Sequence, residues 1–327
     1  MNIIPTTFND LLPSYTAVGG SERGGTSGLS AVLLNRGGGY PRRKMFQELE
    51  KISFDHIISV ESSNERYDIT ELSSRFPSVQ FVFLKKSITT GEQINLASTE
   101  VSGPFFFVLW NDLRILNSGG ALRMTERIAS NPGYICTVPI IQSAHFDTLP
   151  TIAVPAASGS SVRSFLFPPK KDSEMSLYPF DGVGIYDKSR FTTLGGFDST
   201  IKNTYWQLMD FGFRSYLWGE KIHSMHTVRL SYNGEPRVED NTTDEWYRQF
   251  YLKNLAPVYR GDSALIPFRR FFSYWWHSKE TFFNAWSEFI EAKRWTKTNR
   301  YRFKTDARAI IELWEDLGDR LENVNLG

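Results

Sequence analysis

Short runs that are apolar throughout alternate with segments whose apolar residues recur every three or four positions. Residues 31–34, 57–60, 79–84, 105–109 and 134–141 read as strands, and 42–51, 91–99 and 121–130 read as helices between them. Strand, helix, strand at this spacing predicts an α/β fold, a mostly parallel sheet flanked by helices. The strands do not alternate apolar with polar, so both faces of the sheet must be covered.

Ahead of this block, residues 19–28 (GGSERGGTSG) hold almost nothing to bury, which makes 1–28 a flexible lead-in and starts the folded part near Leu29. Residues 156–180, rich in Gly, Ser, Pro and Lys, read as one long surface loop. A strand at 184–186, a turn at Gly195 and Gly196, a helix over 206–218 and a strand over 222–230 complete a domain spanning 29–232. Helical periodicity at 248–253, 268–295 and 306–324 makes 233–327 a helical, aromatic-rich appendage.

Composition narrows the function. The 327 residues carry 37 Lys+Arg against 36 Asp+Glu, and without an excess of cations broad capture of nucleic acid is excluded. The single Cys136 permits no internal disulfide and no thiolate zinc cage. No apolar run approaches the roughly 20 residues that cross a bilayer, and Pro5, Asn9, Asp10 and Pro13 break any signal peptide, so a cytoplasmic chain is expected.

In an open parallel sheet, ligands bind beyond the carboxyl ends of the strands. Three strands end in polar residues there: Asn35-Arg36, then Glu61-Ser62-Ser63, then Trp110-Asn111-Asp112. The last is the first candidate, because a buried strand ending in Asn-Asp delivers a carboxylate to a cleft. An isolated Asn-Asp is otherwise a turn cap.

Taken in order, these endings, the later Gly-Gly-Phe-Asp (195–198) and the segment Leu-Met-Asp-Phe-Gly-Phe-Arg (208–214) resemble the nucleotide-sugar glycosyltransferases of GT-A fold, most closely the family 2 type. The resemblance covers about residues 29–232. It implies a sugar moved from a nucleotide-sugar donor to a hydroxyl acceptor, a glycan, a lipid-linked one or a protein. It implies donor binding by Asn35, Arg36, Glu61, Asn111 and Asp112, and a metal, Mg²⁺ or Mn²⁺, on Asp112. On the acceptor side it places Gly195, Gly196, Trp206 and Arg214, with Asp198 and Asp210 as candidate catalytic carboxylates. Two departures stand out: Trp110 occupies the first Asp of the family's D-x-D, and Gln207-Leu208 occupies the Glu-Asp whose second member is the base.

Two histidines, His223 and His226, fall on one expected strand, where three residues' spacing turns them to opposite faces. His226 is retained as a second metal candidate. Within residues 268–295, Phe271, Phe272, Trp275, Phe282, Phe283, Trp286 and Phe289 recur at spacings of three and four beside Arg269, Arg270, Lys279, Lys293 and Arg294. Such a stripe is more often packed against the body or a second copy of the chain; the sharper alternative is an interfacial helix resting on the inner face of a membrane. Two rival functions stay open. One is an inert relative that binds a nucleotide or glycan; the other is a sugar nucleotidyltransferase, suggested by Gly-Gly-Gly-Tyr-Pro-Arg at 37–42.

Overall fold

The computed structural model describes residues 12–20, 26–36, 42–61, 69–117, 119–158, 161–235 and 238–315. Its centre is the expected α/β arrangement. The strands are β1 (Tyr15–Gly19), β2 (Leu29–Leu34), β3 (Ile57–Glu61), β4 (Val79–Leu84), β5 (Phe105–Trp110), β6 (Leu113–Asn117), β7 (Cys136–Gln142), β8 (Ile152–Ser158), β9 (Ser161–Phe167), β10 (Gly184–Asp187) and β11 (Ile222–Tyr232). Nine of them form one sheet in the order β1-β4-β3-β2-β5-β10-β7-β11-β6. In it β4, β3, β2, β5, β7 and β11 run one way, and β1, β10 and β6 run the other.

The helices of this part are α1 (Arg42–Glu50), α2 (Ile69–Arg75), α3 (Thr90–Glu100), α4 (Ala121–Ala129), α5 (Lys188–Leu194) and α6 (Thr204–Leu217). Local chemistry sets their ends. Thr89 and Glu92 form a reciprocal capping box at the start of α3, and Asn203 caps α6. Gly195, at φ 88°, closes α5 in the left-handed conformation that a side chain would strain. Gly91 lets α3 approach α6: a Cβ there would sit 2.5 Å from Phe197 and 2.6 Å from the Gln207 side chain.

Three expectations change. The lead-in is not all free chain, because β1 pairs along β4 from Tyr15↔Leu84 to Gly19↔Gln80, while Ser27 and Gly28 N–H groups are held by Asp55; residues 1–11 and 21–25 lie outside the described set. The long loop contains a hairpin, β8 paired with β9 from Ile152↔Phe167. Asn111 and Asp112 form the tight turn between β5 and β6, so the strand end and the turn cap are the same feature.

The appendage is α7 (Glu245–Phe250), a π-helical turn over Tyr251–Leu255, a two-stranded ribbon of β12 (Val258–Arg260) and β13 (Ser263–Leu265), then α8 (Arg269–Ser278) and α9 (Phe282–Asn299). A helical stretch follows over 307–315. The appendage is therefore not wholly helical. Its link to the sheet domain is ionic as well as apolar: Lys253 reaches Asp198 and Asn254 reaches Asp210, all four side chains fully buried.

Candidate active site

Parallel pairing aligns Leu34 with Val60 on one side and with Trp110 on the other. The strand ends therefore bring Asn35, Arg36, Glu61, Asn111 and Asp112 to one edge of the sheet. Of the five expected donor-side residues, none is displaced from that edge.

Asp112 takes Arg36 by both oxygens, Nε to Oδ2 and Nη2 to Oδ1, each at 2.9 Å. The third face of the guanidinium reaches Asp181 Oδ2 at 2.7 Å, and its plane lies 4.3 Å from the Trp110 ring centroid. Burial opposes the Arg36 charge, but the bonds and charges of Asp112 and Asp181 outweigh it and hold the pKa above the ordinary arginine value. Tyr232 Oη donates to the same Asp181 oxygen at 2.9 Å, and Trp110 Nε1 donates to the Asp181 carbonyl at 2.9 Å. Burial pushes the Asp181 carboxyl up, against the pull of Arg36.

On the neighbouring strand, Glu61 is 1% exposed; its Oε1 accepts from Ser59 (2.7 Å) and pairs with Arg42. Its other oxygen, and Asn35 Oδ1, are buried without a hydrogen-bond partner among the described residues. The Asn35 amide donates to the Val60 carbonyl at 2.6 Å. Residues 37–41, which hold most of the motif behind the nucleotidyltransferase alternative, lie outside the described set.

Beyond Trp110 and Asp181 opens a cavity of about 340 Å³, bounded also by Lys202, Tyr205, Leu208 and Glu239. Glu239 was not anticipated, and nothing in its sequence surroundings marks it. Asp181 did leave a signal: it stands before Gly182 and adopts φ 56°, the Asp-Gly turn pattern.

The expected catalytic and acceptor residues go elsewhere. Asp210 is fully buried against Arg214 (2.8 Å) and Asn254 (2.8 Å). Asp198 is held by Lys253 and Thr200, and Lys253 outweighs burial to keep its pKa low. Arg214 spends its remaining N–H groups on the Leu194 and Gly196 carbonyls, and Trp206 is 1% exposed with Nε1 on the Thr242 carbonyl. Asp198, Asp210, Gly195, Gly196, Trp206 and Arg214 thus form a saturated interior lattice, and none lines the cavity. Gln207 belongs to it too, bridging the α3 start and the Asp198 carbonyl. Only Leu208 of the Gln-Leu pair faces the cavity.

The metal pair is not assembled. His226 sits in the bulge of β11 between Met225 and Arg229, with its main chain bonded to Asp172, while the end of that strand near Asp112 carries Tyr232. Among the described residues no group of three or more His, Cys, Asp or Glu is placed to hold an ion. With both Asp112 oxygens on a guanidinium, an ion does not fit there in this arrangement. His223 is stacked on Tyr134 (3.7 Å) and bonded to Thr137, and burial lowers its pKa to about 4.

No protein-family model matches the chain, and no curated protein matches it. Among solved structures it is similar to GalNAc-T7 with UDP, GalNAc and Mn²⁺, at 13% identity over 69% of this chain and 50% of that one, TM-score 0.48. It is also similar to S. aureus TarS, at 12% identity over 68% of this chain and 38% of that one, TM-score 0.45. For TarS residues 1–349 in complex with UDP the values are 10%, 81%, 70% and 0.46. The chain therefore spans half or less of the first two. Likeness at this level says nothing of the site's chemistry.

Proposed function

We propose that the chain transfers a sugar from a nucleoside diphosphate sugar to a hydroxyl acceptor, a glycan or a lipid-linked one. The observation that carries this reading is the pair of orphaned acceptors, Glu61 Oε2 and Asn35 Oδ1, buried beside a fixed guanidinium at the sheet edge. A buried oxygen without a donor costs free energy, and the hydroxyl and N–H donors of a nucleoside would satisfy both. Arg36 is always charged and planar, suited to the oxygens of a diphosphate. Charge building on the departing diphosphate needs fixed donors close by, a part this reading gives to Arg36. The adjoining cavity, walled by Trp110 and Tyr205, has room for a sugar ring and part of an acceptor.

The test is release of nucleoside diphosphate from a panel of UDP-, GDP- and dTDP-sugars, paired with thermal shifts by the free nucleotides. Release identifies an enzyme. A second reading, an inert relative that binds nucleotide, is favoured by Trp110 at the D-x-D position and by Arg36 filling Asp112; it requires a thermal shift with no release from any donor.

The partner surface in this reading is an anionic bilayer. Phe271, Tyr274, Ala285, Phe289 and Ala292 are consumed in a small core between α8 and α9, but Phe272, Trp276 and Phe283 are 67%, 82% and 81% exposed. Half-exposed Trp275, Phe282 and Trp286 pack ring against ring beside Phe283. An exposed apolar patch of this kind marks a contact surface. Charge names the partner: Lys293, Arg294, Lys297 and Arg300 line an apolar hollow beside the patch. Glu280 and Glu288, which anionic lipid would repel, are turned to Arg248 of α7. No helix among the described residues is long and apolar enough to cross a membrane, so the contact is one of lying on the surface.

A further inference from the structure

Leu208 stands where the resemblance expects the base, so a transferase built on this site needs another group to take the acceptor's proton. The same cavity holds one. Glu239 enters it from the segment after β11 and lines it together with Leu208, Trp110, Asp181 and Lys202. One carboxylate oxygen is fastened: Oε2 accepts from Tyr178 Oη at 2.8 Å. Behind that hydroxyl runs a short network, Tyr178 to Ser164 at 2.9 Å and Ser164 to Tyr205 at 2.9 Å. The other oxygen, Oε1, is buried and has no partner among the described residues. A carboxylate oriented through one oxygen with the other unspent is the arrangement a general base requires.

We propose that Glu239 is the acceptor-activating base, taking over from the α6 position that Leu208 vacates. The proposal rests on the sugar-transfer reading. In the step, Glu239 Oε1 takes the proton of the acceptor hydroxyl as that oxygen bonds to the anomeric carbon. The bond from the anomeric carbon to the diphosphate oxygen breaks, and its electron pair leaves with the nucleoside diphosphate. No metal, oxidant or third reactant enters the balance.

The neighbours of Glu239 suit it to the task. Burial raises its pKa to about 7, the Tyr178 hydroxyl works against that rise, and the Asp181 charge adds to it. Tyr205 feels the Glu239 charge from α6. Lys202, the cation in the cavity wall, is engaged by Glu92 at 2.9 Å and is not spent on Glu239. Of the other two carboxylates there, Asp181 is held by Arg36 and Tyr232 and Asp240 is exposed with one oxygen on Thr242, which leaves Glu239 as the one with a buried, unengaged oxygen in view.

The experiment uses the full chain with water and a simple alkyl glycoside as acceptors, reading nucleoside diphosphate release from the donor panel. Glu239→Gln should lower kcat at least 100-fold, the ordinary worth of a positioned base, with donor KM and nucleotide thermal shift within threefold of the parent. The parent's rate should climb with pH through about 7 and the variant's should not; Glu239→Asp should recover part of the rate. Glu239→Gln turning over at the parent's rate with the same pH profile overturns the proposal, as does Asp181→Asn abolishing the pH step in its place. If the parent binds no nucleotide and releases none, the sugar-transfer reading itself fails. Binding without release leaves the chain an inert relative, with no proton for Glu239 to take.

Discussion

Asp112 grips Arg36 with both carboxylate oxygens at 2.9 Å, so the strand-end acid that the sequence assigns to a metal holds a tethered cation of the protein's own. The relationship changes what removing Asp112 should do. Its side chain is 11% exposed and that of Arg36 only 6%, so Asp112→Ala leaves a buried guanidinium with Asp181 alone. A loss of about 3 kcal/mol in urea unfolding is expected. An unchanged midpoint would mean that the pair contributes nothing and that Arg36 has settled wholly on Asp181.

Removing the cation is the converse case. Arg36→Ala leaves Asp112 and Asp181, both bound until then by one guanidinium, facing the space it occupied. Mn²⁺ alone should then raise the thermal unfolding temperature of the variant and not that of the parent, since ligand binding to the folded state stabilises it by mass action. Equal shifts in both would show that an ion reaches Asp112 past Arg36.

Asp198 and Asp210 should behave as structure. Each is part of a fully buried ion pair, with Lys253 and with Arg214. Asp210→Asn or Asp198→Asn leaves a buried cation uncompensated, at a cost of about 3 to 5 kcal/mol in unfolding free energy. Nucleotide release per folded molecule should be unaltered at temperatures where the variants remain folded. Loss of turnover with full stability would return them to the catalytic role.

Glu239 should leave a signature in stability as well. A carboxyl near pKa 7 when folded and 4.5 when not binds more protons in the folded state between those values. Its contribution to folding stability is therefore complete below pH 4.5 and is lost as pH rises through 7, by roughly 3 kcal/mol. His223 contributes with the opposite sign: its pKa of about 4 lies below the ordinary 6.5, so its contribution is present above 6.5 and is lost as pH falls through 4. Denaturant midpoints of the parent minus those of Glu239→Gln remove the His223 part. A flat difference between pH 4.5 and 7 would contradict a buried, elevated Glu239.

The aromatic patch predicts binding without a stability cost. Phe272→Ser with Phe283→Ser removes two of its most exposed rings, and surface changes of this kind stay within about 0.5 kcal/mol each. The parent should float with vesicles containing phosphatidylglycerol, weakly or not at all with phosphatidylcholine alone, and the double variant with neither. Flotation of the variant equal to the parent would assign the patch to some other contact.

What the sequence alone determined is the sheet and its polar edge. Short uninterrupted apolar runs such as Phe106–Leu109, alternating with helix-periodic segments, read as strands buried on both faces, and parallel pairing then brings Asn35, Glu61 and Asp112 out at one edge. The endings are local in the chain, so pattern reaches them. Which partner each side chain takes is decided by residues distant in sequence: Asp181 arrives 145 positions after Arg36, and Lys253 lies 55 after Asp198. For that reason the motif residues of α6 could be read as acceptor groups, although packing against the appendage buries and neutralises them. Glu239 could not be read at all, because its elevated pKa and unspent oxygen come from its burial against Tyr178 in the wall of a cavity that Trp110, Tyr205 and Leu208 also line, and burial of that kind exists only once the chain has folded.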